Sequence, residues 1–251
     1  FMKKIIVIFL LILAFGLSAI AQNNTTKNAN DLYSKGEYKI AASAYEKIIA
    51  NQGVSPELYY NLGNAYYKSG EVGKSILNYE RALRLRPTYD DAKTNLEMAQ
   101  LKVVDNVVQI PPFFVMRWID GLMKLLTSNQ WLVLSLFFWT LTLTSFLFFI
   151  FGKTLTYIKA SFYVAIVFIG LSVFSGLFSG IRKYQMVNHN EAIILSGAVN
   201  IKSSPDKSGT DLFLLHEGTK VKIKSTLDKW VEVVIGNGNV GWIESNCIER
   251  I

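Results

Sequence analysis

The sequence is poor in the residues on which most enzymes and disulfide-rich scaffolds depend. It contains one cysteine, Cys247, and two histidines, His189 and His216. A single cysteine excludes a disulfide framework within the chain, and two histidines so far apart offer no metal-ligand spacing. Nucleophile elbows, paired acid–base carboxylates and glycine-rich cofactor loops are also missing. We therefore expect no catalytic residues, no metal and no cofactor.

Charged residues are also scarce, and their distribution indicates a membrane protein. Only 18% of the residues are charged and 51% are apolar, and the apolar residues are concentrated in three runs. A soluble globular chain would spread them with a period of 2 or about 3.6. The net charge of +7 comes from scattered cations without a basic stripe among aromatic residues, so we expect no nucleic-acid partner.

The first apolar run has the layout of a secretory signal peptide at residues 1–21. Lys3 and Lys4 form a basic start, an apolar stretch follows, and Ala19-Ile20-Ala21 is a small-residue ending. An uncleaved anchor would begin in the same way, but the Asn- and Thr-rich residues that follow favour cleavage after Ala21. Both alternatives send the next segment across the membrane.

The other two apolar runs, residues 131–151 and 160–181, predict two transmembrane helices. Neither contains a charged residue, and each is long enough to cross a bilayer. Transporters usually place an ionisable residue within a span, so transport is not favoured. Ser172, Gly176 and Gly180 recur at every fourth position and predict a stripe for close packing, either within the hairpin or against another membrane protein.

An amphipathic helix is predicted at residues 113–127, just before the first span. Phe114, Trp118 and Leu122 share an apolar face, while charged residues occupy the opposite face. A helix of this kind with a tryptophan on its apolar side is typical of the bilayer interface. It would hold the region before it close to the membrane.

Within the predicted helical domain at residues 22–104, residues 23–87 match themselves with a period of 34 residues. The repeat is clearest in Gly36 and Tyr45, which recur as Gly70 and Tyr79. This period and the residue types that recur resemble the tetratricopeptide repeat family. The second copy carries the family's pattern at Tyr59, Leu62, Gly63, Tyr66, Gly70, Ser75, Tyr79, Ala82 and Pro87. The resemblance implies two antiparallel helix pairs, and we expect a further helix after them to cap the stack.

In tetratricopeptide repeats the concave face binds partners, and here that face is rich in amide side chains. The groove residues expected from the resemblance are Asn30, Tyr60, Asn61, Asn64, Tyr67 and Asn95. Amide groups can both donate to and accept from a peptide backbone. Relatives that clamp a terminal carboxylate use Lys and Arg where this chain has Thr26, Asp91 and Asn95, so carboxylate clamping is not expected. A solvated polar face without a ligand is the alternative.

Residues 190–251 change to a hydrophobic period of 2, with five or six short strand candidates separated by turns. This pattern predicts a small all-β barrel. The segments 200–205 and 217–221, with Gly241-Trp242-Ile243, resemble bacterial SH3-like domains, some of which bind cell-wall peptides. Trp230 and Trp242 belong either to the barrel core or to a ligand-binding face.

The order of these segments resembles, over the whole length, the BatE family of the bacterial aerotolerance (Bat) system. The fold class expected is a multidomain membrane protein with an all-α tetratricopeptide repeat, a two-helix transmembrane hairpin and a small all-β SH3-like barrel. The resemblance implies an inner-membrane location with both soluble regions in the periplasm. It also implies partners among von Willebrand factor A-type Bat proteins and a MoxR-type ATPase. The function expected is a non-enzymatic scaffold for protein–protein interaction, and the alternative is an envelope sensor that binds peptidoglycan.

Overall fold

The computed structural model describes residues 26–105, 113–188 and 190–251, and it forms two compact units. The predicted signal peptide, residues 1–21, lies outside the described residues. One unit contains the helices of residues 26–105, here called the repeat region, and the sheet of residues 190–251, here called the SH3-like region. The other unit contains the apolar helices.

The repeat region consists of five helices whose ends follow from local chemistry. Ser55 caps the third helix, because its hydroxyl accepts a hydrogen bond from the Leu58 N–H at 3.1 Å, and Pro56 occupies the first helical position. Gly70 ends this helix in the left-handed conformation, with φ at 88°. The helices are α1 (residues 26–34), α2 (Tyr38–Gln52), α3 (Pro56–Ser69), α4 (Val72–Leu85) and α5 (Asp90–Gln100). The predicted helical repeat architecture is confirmed.

Gly63 allows α3 and α4 to cross closely. A Cβ atom at this position would lie 2.7 Å from the ring of Tyr79. We therefore expect Gly63→Ala to lower the free energy of unfolding by about 1–3 kcal/mol, because overpacking displaces the ring or the helix. Thermal unfolding of the full chain in detergent measures this effect. Gly121→Ala is the matched control, since no atom lies within 4 Å of its added Cβ, and equal melting temperatures for the two variants would contradict the prediction.

The SH3-like region is an antiparallel sheet of seven strands in the order β3-β2-β6-β5-β4-β1-β7. The strands are β1 (Glu191–Ile194), β2 (Ala198–Lys202), β3 (Asp211–His216), β4 (Lys220–Leu227), β5 (Trp230–Val234), β6 (Val240–Glu244) and β7 (Ile248–Arg250). Val231, Val233 and Ile243 alternate with outward residues and fill the core. The predicted barrel-type sheet is confirmed, with β7 as a short strand that period-2 reasoning misses.

Strand β1 is buried on both sides. Ala192 and Ile194 belong to the core of the sheet, whereas Ile193 packs into a second cluster. That cluster also contains Ile76 of α4, Leu96 of α5 and the last residue, Ile251. The repeat region and the SH3-like region therefore share a hydrophobic core, although 90 residues, which include the second unit, lie between the end of α5 and the start of β1 in the sequence. Neither region is a free-standing module in this structure.

The second unit contains α6 (Phe114–Lys124), α7 (Ser128–Phe151) and α8 (Leu155–Val187). Both α7 and α8 are long and apolar enough to cross a membrane. Thr127 caps α7 in a capping box with Gln130. Trp131 packs against Met123 and Phe178, and its indole N–H donates to the Met123 carbonyl at 3.0 Å. This cluster joins the end of α6 to the hairpin.

Two pairs of serines join α7 to α8 by reciprocal hydrogen bonds. The Ser135 hydroxyl donates to the Ser172 carbonyl at 2.8 Å, and the Ser172 hydroxyl donates to the Ser135 carbonyl at 3.0 Å. Ser128 and Ser179 form the same pair of bonds at 3.0 and 2.9 Å. The serines on each helix are one heptad apart, so they stay on the contact face.

The predicted small-residue stripe follows this contact only in part. Ser172 bonds to α7, and a Cβ atom added at Gly176 would lie 3.3 Å from the Ser135 hydroxyl. Gly180 is exposed, with no atom within 4 Å of an added Cβ. Each four-residue step turns about 40° away from the contact on a helix of 3.6 residues per turn. Ser179, seven residues after Ser172, therefore makes the contact with α7 that the predicted four-residue spacing had given to Gly180.

Candidate functional site

Three of the six predicted groove residues line one cleft of the repeat region. This cleft has a volume of about 260 Å³ and lies between α1, α2 and α3. The cleft, here called the amide cleft, is lined by Asn30, Tyr33, Ser34, Tyr45, Asn61 and Asn64. None of these six side chains carries a charge at neutral pH, so hydrogen bonding and shape dominate what the cleft can recognise.

Two equivalent tyrosine–asparagine hydrogen bonds orient the amides, one in each repeat. The Tyr45 hydroxyl donates to Asn30 Oδ1 at 2.6 Å, and the Tyr79 hydroxyl donates to Asn64 Oδ1 at 2.7 Å. Burial, together with the nearby Tyr33, raises the pKa of Tyr45 to about 12, and burial also raises the pKa of Tyr79. Both hydroxyls therefore remain protonated donors. Because the amide oxygens accept these bonds, the amide N–H groups are the donors that remain for a ligand.

The other three predicted groove residues hold α5 against α3. Asn95 Nδ2 donates to Asn64 Oδ1 at 2.8 Å and lies 3.4 Å from the Tyr60 hydroxyl. The Lys102 ammonium lies 4.0 Å from the centre of the Tyr67 ring. Asn61 differs from these residues, because within residues 26–105 its side chain has no intramolecular hydrogen bond. Asn61 is therefore the predicted groove residue most available to a ligand.

Polar contacts between the repeat region and the SH3-like region centre on Asp105. Its carboxylate accepts hydrogen bonds from the His216 backbone N–H and from the Thr219 hydroxyl, both at 2.6 Å. His216 Nδ1 lies 2.7 Å from the second carboxylate oxygen. Burial raises the pKa of Asp105, but the bonds from Thr219 and His216 outweigh burial and hold its pKa below the ordinary value. Asp105 and His216 are 111 residues apart, so sequence spacing could not pair them.

Charged side chains extend this contact along α4. Glu217 accepts a hydrogen bond from the Gly73 N–H at 2.8 Å, at the start of the helix. Lys220 pairs with Glu80 of α4 at 3.0 Å and with Glu191 of β1 at 2.9 Å. Burial lowers the pKa of Lys220, but the two carboxylates outweigh burial and raise it. The ammonium therefore stays charged between the two regions.

Arg81 connects α4 to the end of the chain. Its guanidinium donates to Glu249 Oε1 at 2.8 Å and to the Arg250 carbonyl at 2.7 Å. The guanidinium also lies 5.8 Å from the centre of the Tyr59 ring. Together with Asp105 and Lys220, Arg81 fixes the SH3-like region against α4 and the turn after α5.

The two tryptophans of the predicted ligand face lie on neighbouring strands. Trp230 on β5 and Trp242 on β6 alternate with the buried core residues and point to the outer side of the sheet. Both are half-buried. The contact with the repeat helices involves β1, β7 and the turn between β3 and β4, so β5 and β6 lie outside it. Among the described residues, no group of three or more His, Cys, Asp or Glu side chains could hold a metal ion.

Comparison with known proteins shows similarity in both the repeat region and the SH3-like region. A family model for the tetratricopeptide repeat matches residues 26–90, and a model for the bacterial SH3 domain matches residues 197–249. A TPR repeat-containing protein of Methanocaldococcus jannaschii is 28% identical over 109 residues. The match covers 42% of this chain and 19% of that protein, so this chain spans about a fifth of that relative's length. Tetratricopeptide repeats imply protein–protein interaction, and both kinds of domain are typically non-catalytic.

Proposed function

We propose that the protein is a non-enzymatic, membrane-anchored scaffold whose amide cleft binds an extended segment of a partner protein. The observation that carries this proposal is the uncharged lining of the cleft, with amide donors from successive repeats. Such donors suit the main-chain carbonyl groups of a bound peptide. The absence of a lining cation argues against a terminal carboxylate as the group recognised.

The contact between the two soluble regions supports a topology with two spans. The repeat region precedes α7 and α8, and the SH3-like region follows them. Because Asp105 bonds to His216, both regions must lie on the same side of any membrane. The chain between them must then cross an even number of times, and a hairpin of α7 and α8 meets this requirement. With the predicted signal peptide, that side is the periplasm and the membrane is the bacterial inner membrane.

The order of segments supports membership of a Bat-type aerotolerance or envelope stress complex of the BatE kind. In that setting the partners are von Willebrand factor A-type Bat proteins, which the amide cleft would bind. The membrane itself is the second partner, because α7, α8 and the apolar side of α6 carry exposed apolar side chains that suit lipid.

Asn61→Ala tests the scaffold proposal. We expect this change to weaken retention of a tagged von Willebrand factor A-type Bat protein by about tenfold, because one or two hydrogen bonds are lost. The measurement is co-purification with the detergent-solubilised full chain. Asn51→Ala, an exposed position at the end of α2 outside the cleft, is the matched control. Asn64 is a poorer choice, since its loss also breaks the bonds to Tyr79 and Asn95. Equal retention by wild type and Asn61→Ala would refute the proposal.

A second function, the binding of peptidoglycan by the SH3-like region, is favoured by one observation. Trp230 and Trp242 lie on strands that the repeat helices do not cover. The test is sedimentation of the detergent-solubilised full chain with purified sacculi. The full chain is needed, because an isolated SH3-like region would expose Ile193 and Ile251. Protein that stays in the supernatant would exclude this function.

A further inference from the structure

A transverse row of five side chains crosses the outer side of the SH3-like sheet. Trp242 on β6 pairs with Lys202 on one side and with Glu232 on the other. Asp211 is the partner of Lys202 on β3, and Ser225 is the partner of Glu232 on β4. The transverse row therefore spans five adjacent strands, which at about 4.8 Å per strand makes it about 19 Å long.

The transverse row lies on the outer side because its neighbours along each strand point inward. Ile201, Gly241 and Val231 are buried, while the residues of the row are exposed or half-exposed. The repeat region contacts the sheet at β1, at β7 and around the turn between β3 and β4, where His216 lies at the opposite end of β3 from Asp211. The row is thus accessible while the two regions are packed together.

Every charge in the transverse row is already paired within the sheet. Lys202 Nζ lies 2.8 Å from Asp211 Oδ1, and Lys224 Nζ lies 2.8 Å from Glu232 Oε1. The Ser225 hydroxyl donates to the other oxygen of Glu232 at 2.9 Å. The bond from Lys202 lowers the pKa of Asp211, and the bonds from Lys224 and Ser225 lower the pKa of Glu232. Both carboxylates are therefore ionised, and each oxygen retains a lone pair for a further donor.

This arrangement matches the chemistry of a sugar chain. A charged ligand would have to compete with the existing ion pairs, and an apolar peptide would meet charged groups on both sides of the indole. The C–H face of a sugar ring can pack on the Trp242 indole, while its hydroxyl groups donate to Glu232 and Asp211. The linear shape of the row favours several sugar units in sequence.

We propose that the transverse row binds a linear, uncharged oligosaccharide, with Trp242 as the stacking platform and Glu232 as the principal hydrogen-bond acceptor. The proposal rests on peptidoglycan binding by the SH3-like region, and it assigns that binding to the glycan strand and not to the stem peptide.

Isothermal titration calorimetry of the detergent-solubilised full chain with the linear tetramer of N-acetylglucosamine tests this assignment. We expect Trp242→Ala to weaken binding by about tenfold or more, and Glu232→Gln to weaken it by several fold. Leu227→Ala, at an exposed position outside the row, should bind as wild type does. Trp242→Phe keeps a ring and should retain part of the affinity. No heat of binding with wild type, or equal affinity for Trp242→Ala, overturns the proposal.

Sedimentation separates this proposal from the function on which it rests. If sacculi are bound but the tetramer is not, the oligosaccharide site is wrong and wall binding stands. If the tetramer binds and sacculi do not, the oligosaccharide site stands and the wall is excluded as its source. Competition by soluble stem peptide, without competition by the tetramer, assigns the wall contact to peptide and overturns the proposal.

Discussion

Asp105→Ala should loosen the SH3-like region from the repeat region and lower the free energy of unfolding by about 3 kcal/mol. The carboxylate is only 13% exposed, and its removal leaves the His216 N–H and the Thr219 hydroxyl without their acceptor. Buried polar groups that lose a partner cost about 1–3 kcal/mol each. Chemical unfolding of the full chain in detergent measures the change. Asp31→Ala, at an exposed position on α1, should leave stability unchanged.

The same carboxylate makes the contact sensitive to acid, and the direction follows from its lowered pKa. The folded protein holds Asp105 ionised at pH values where the unfolded chain begins to bind a proton. Its contribution to stability is therefore complete above about pH 5 and is lost as the pH falls through the folded pKa. The difference in melting temperature between wild type and Asp105→Asn should shrink as the pH is lowered from neutral toward this range. A difference that stays constant would contradict this assignment.

The elements that depend on local pattern could be predicted from the sequence. The 34-residue period gave the helix pairs of the repeat region, because each helix and turn is encoded within one repeat. The alternation of apolar and polar residues around Val231 and Val233 predicted strands, and the two charge-free apolar runs predicted α7 and α8. The bounds differ at the helix ends, since α8 continues past the apolar run to Val187.

The contact between the two soluble regions was not predicted, because its partners are distant in sequence. One signal was nevertheless available in β1. Ala192, Ile193 and Ile194 form a continuous apolar run with Leu195, and continuous runs indicate a strand covered on both faces. A strand at the outside of a small barrel would alternate instead. The run therefore indicated a second covering layer, which the repeat helices provide.

The amide cleft, too, was predicted from the sequence only in part. Asn30 and Asn64 were predicted as ligand-binding residues from the resemblance, and the structure shows that tyrosine hydroxyls occupy their oxygens. The pairs Asn30–Tyr45 and Asn64–Tyr79 have the same spacing in both repeats, so the repeat itself contained this information. In the sequence, Tyr45 and Tyr79 served only as markers of the 34-residue period, so their polar role was missed.

Ile193→Lys should separate docking of the SH3-like region from folding of its sheet. Ile193 is fully buried against Ile76 and Leu96, whereas the core-facing Ala192 and Ile194 are untouched by the change. Burying an unpaired ammonium in this cluster would cost more free energy than the contact between the two regions contributes. We therefore expect the free energy of unfolding to fall by about 3–5 kcal/mol and the sheet to undock from the repeat region.

Hydrogen exchange of the full chain in detergent distinguishes undocking from unfolding of the sheet in Ile193→Lys. Amides of α4 and α5 should lose protection, while β5 and β6 keep theirs. Because Asn95 of α5 donates to Asn64 in the amide cleft, partner retention should fall as well. Ile40→Lys, at a position that is 57% exposed on α2, is the matched control and should change neither property. If β5 and β6 lose protection together with α4, the sheet depends on the repeat helices for its own stability and the separation proposed here does not exist.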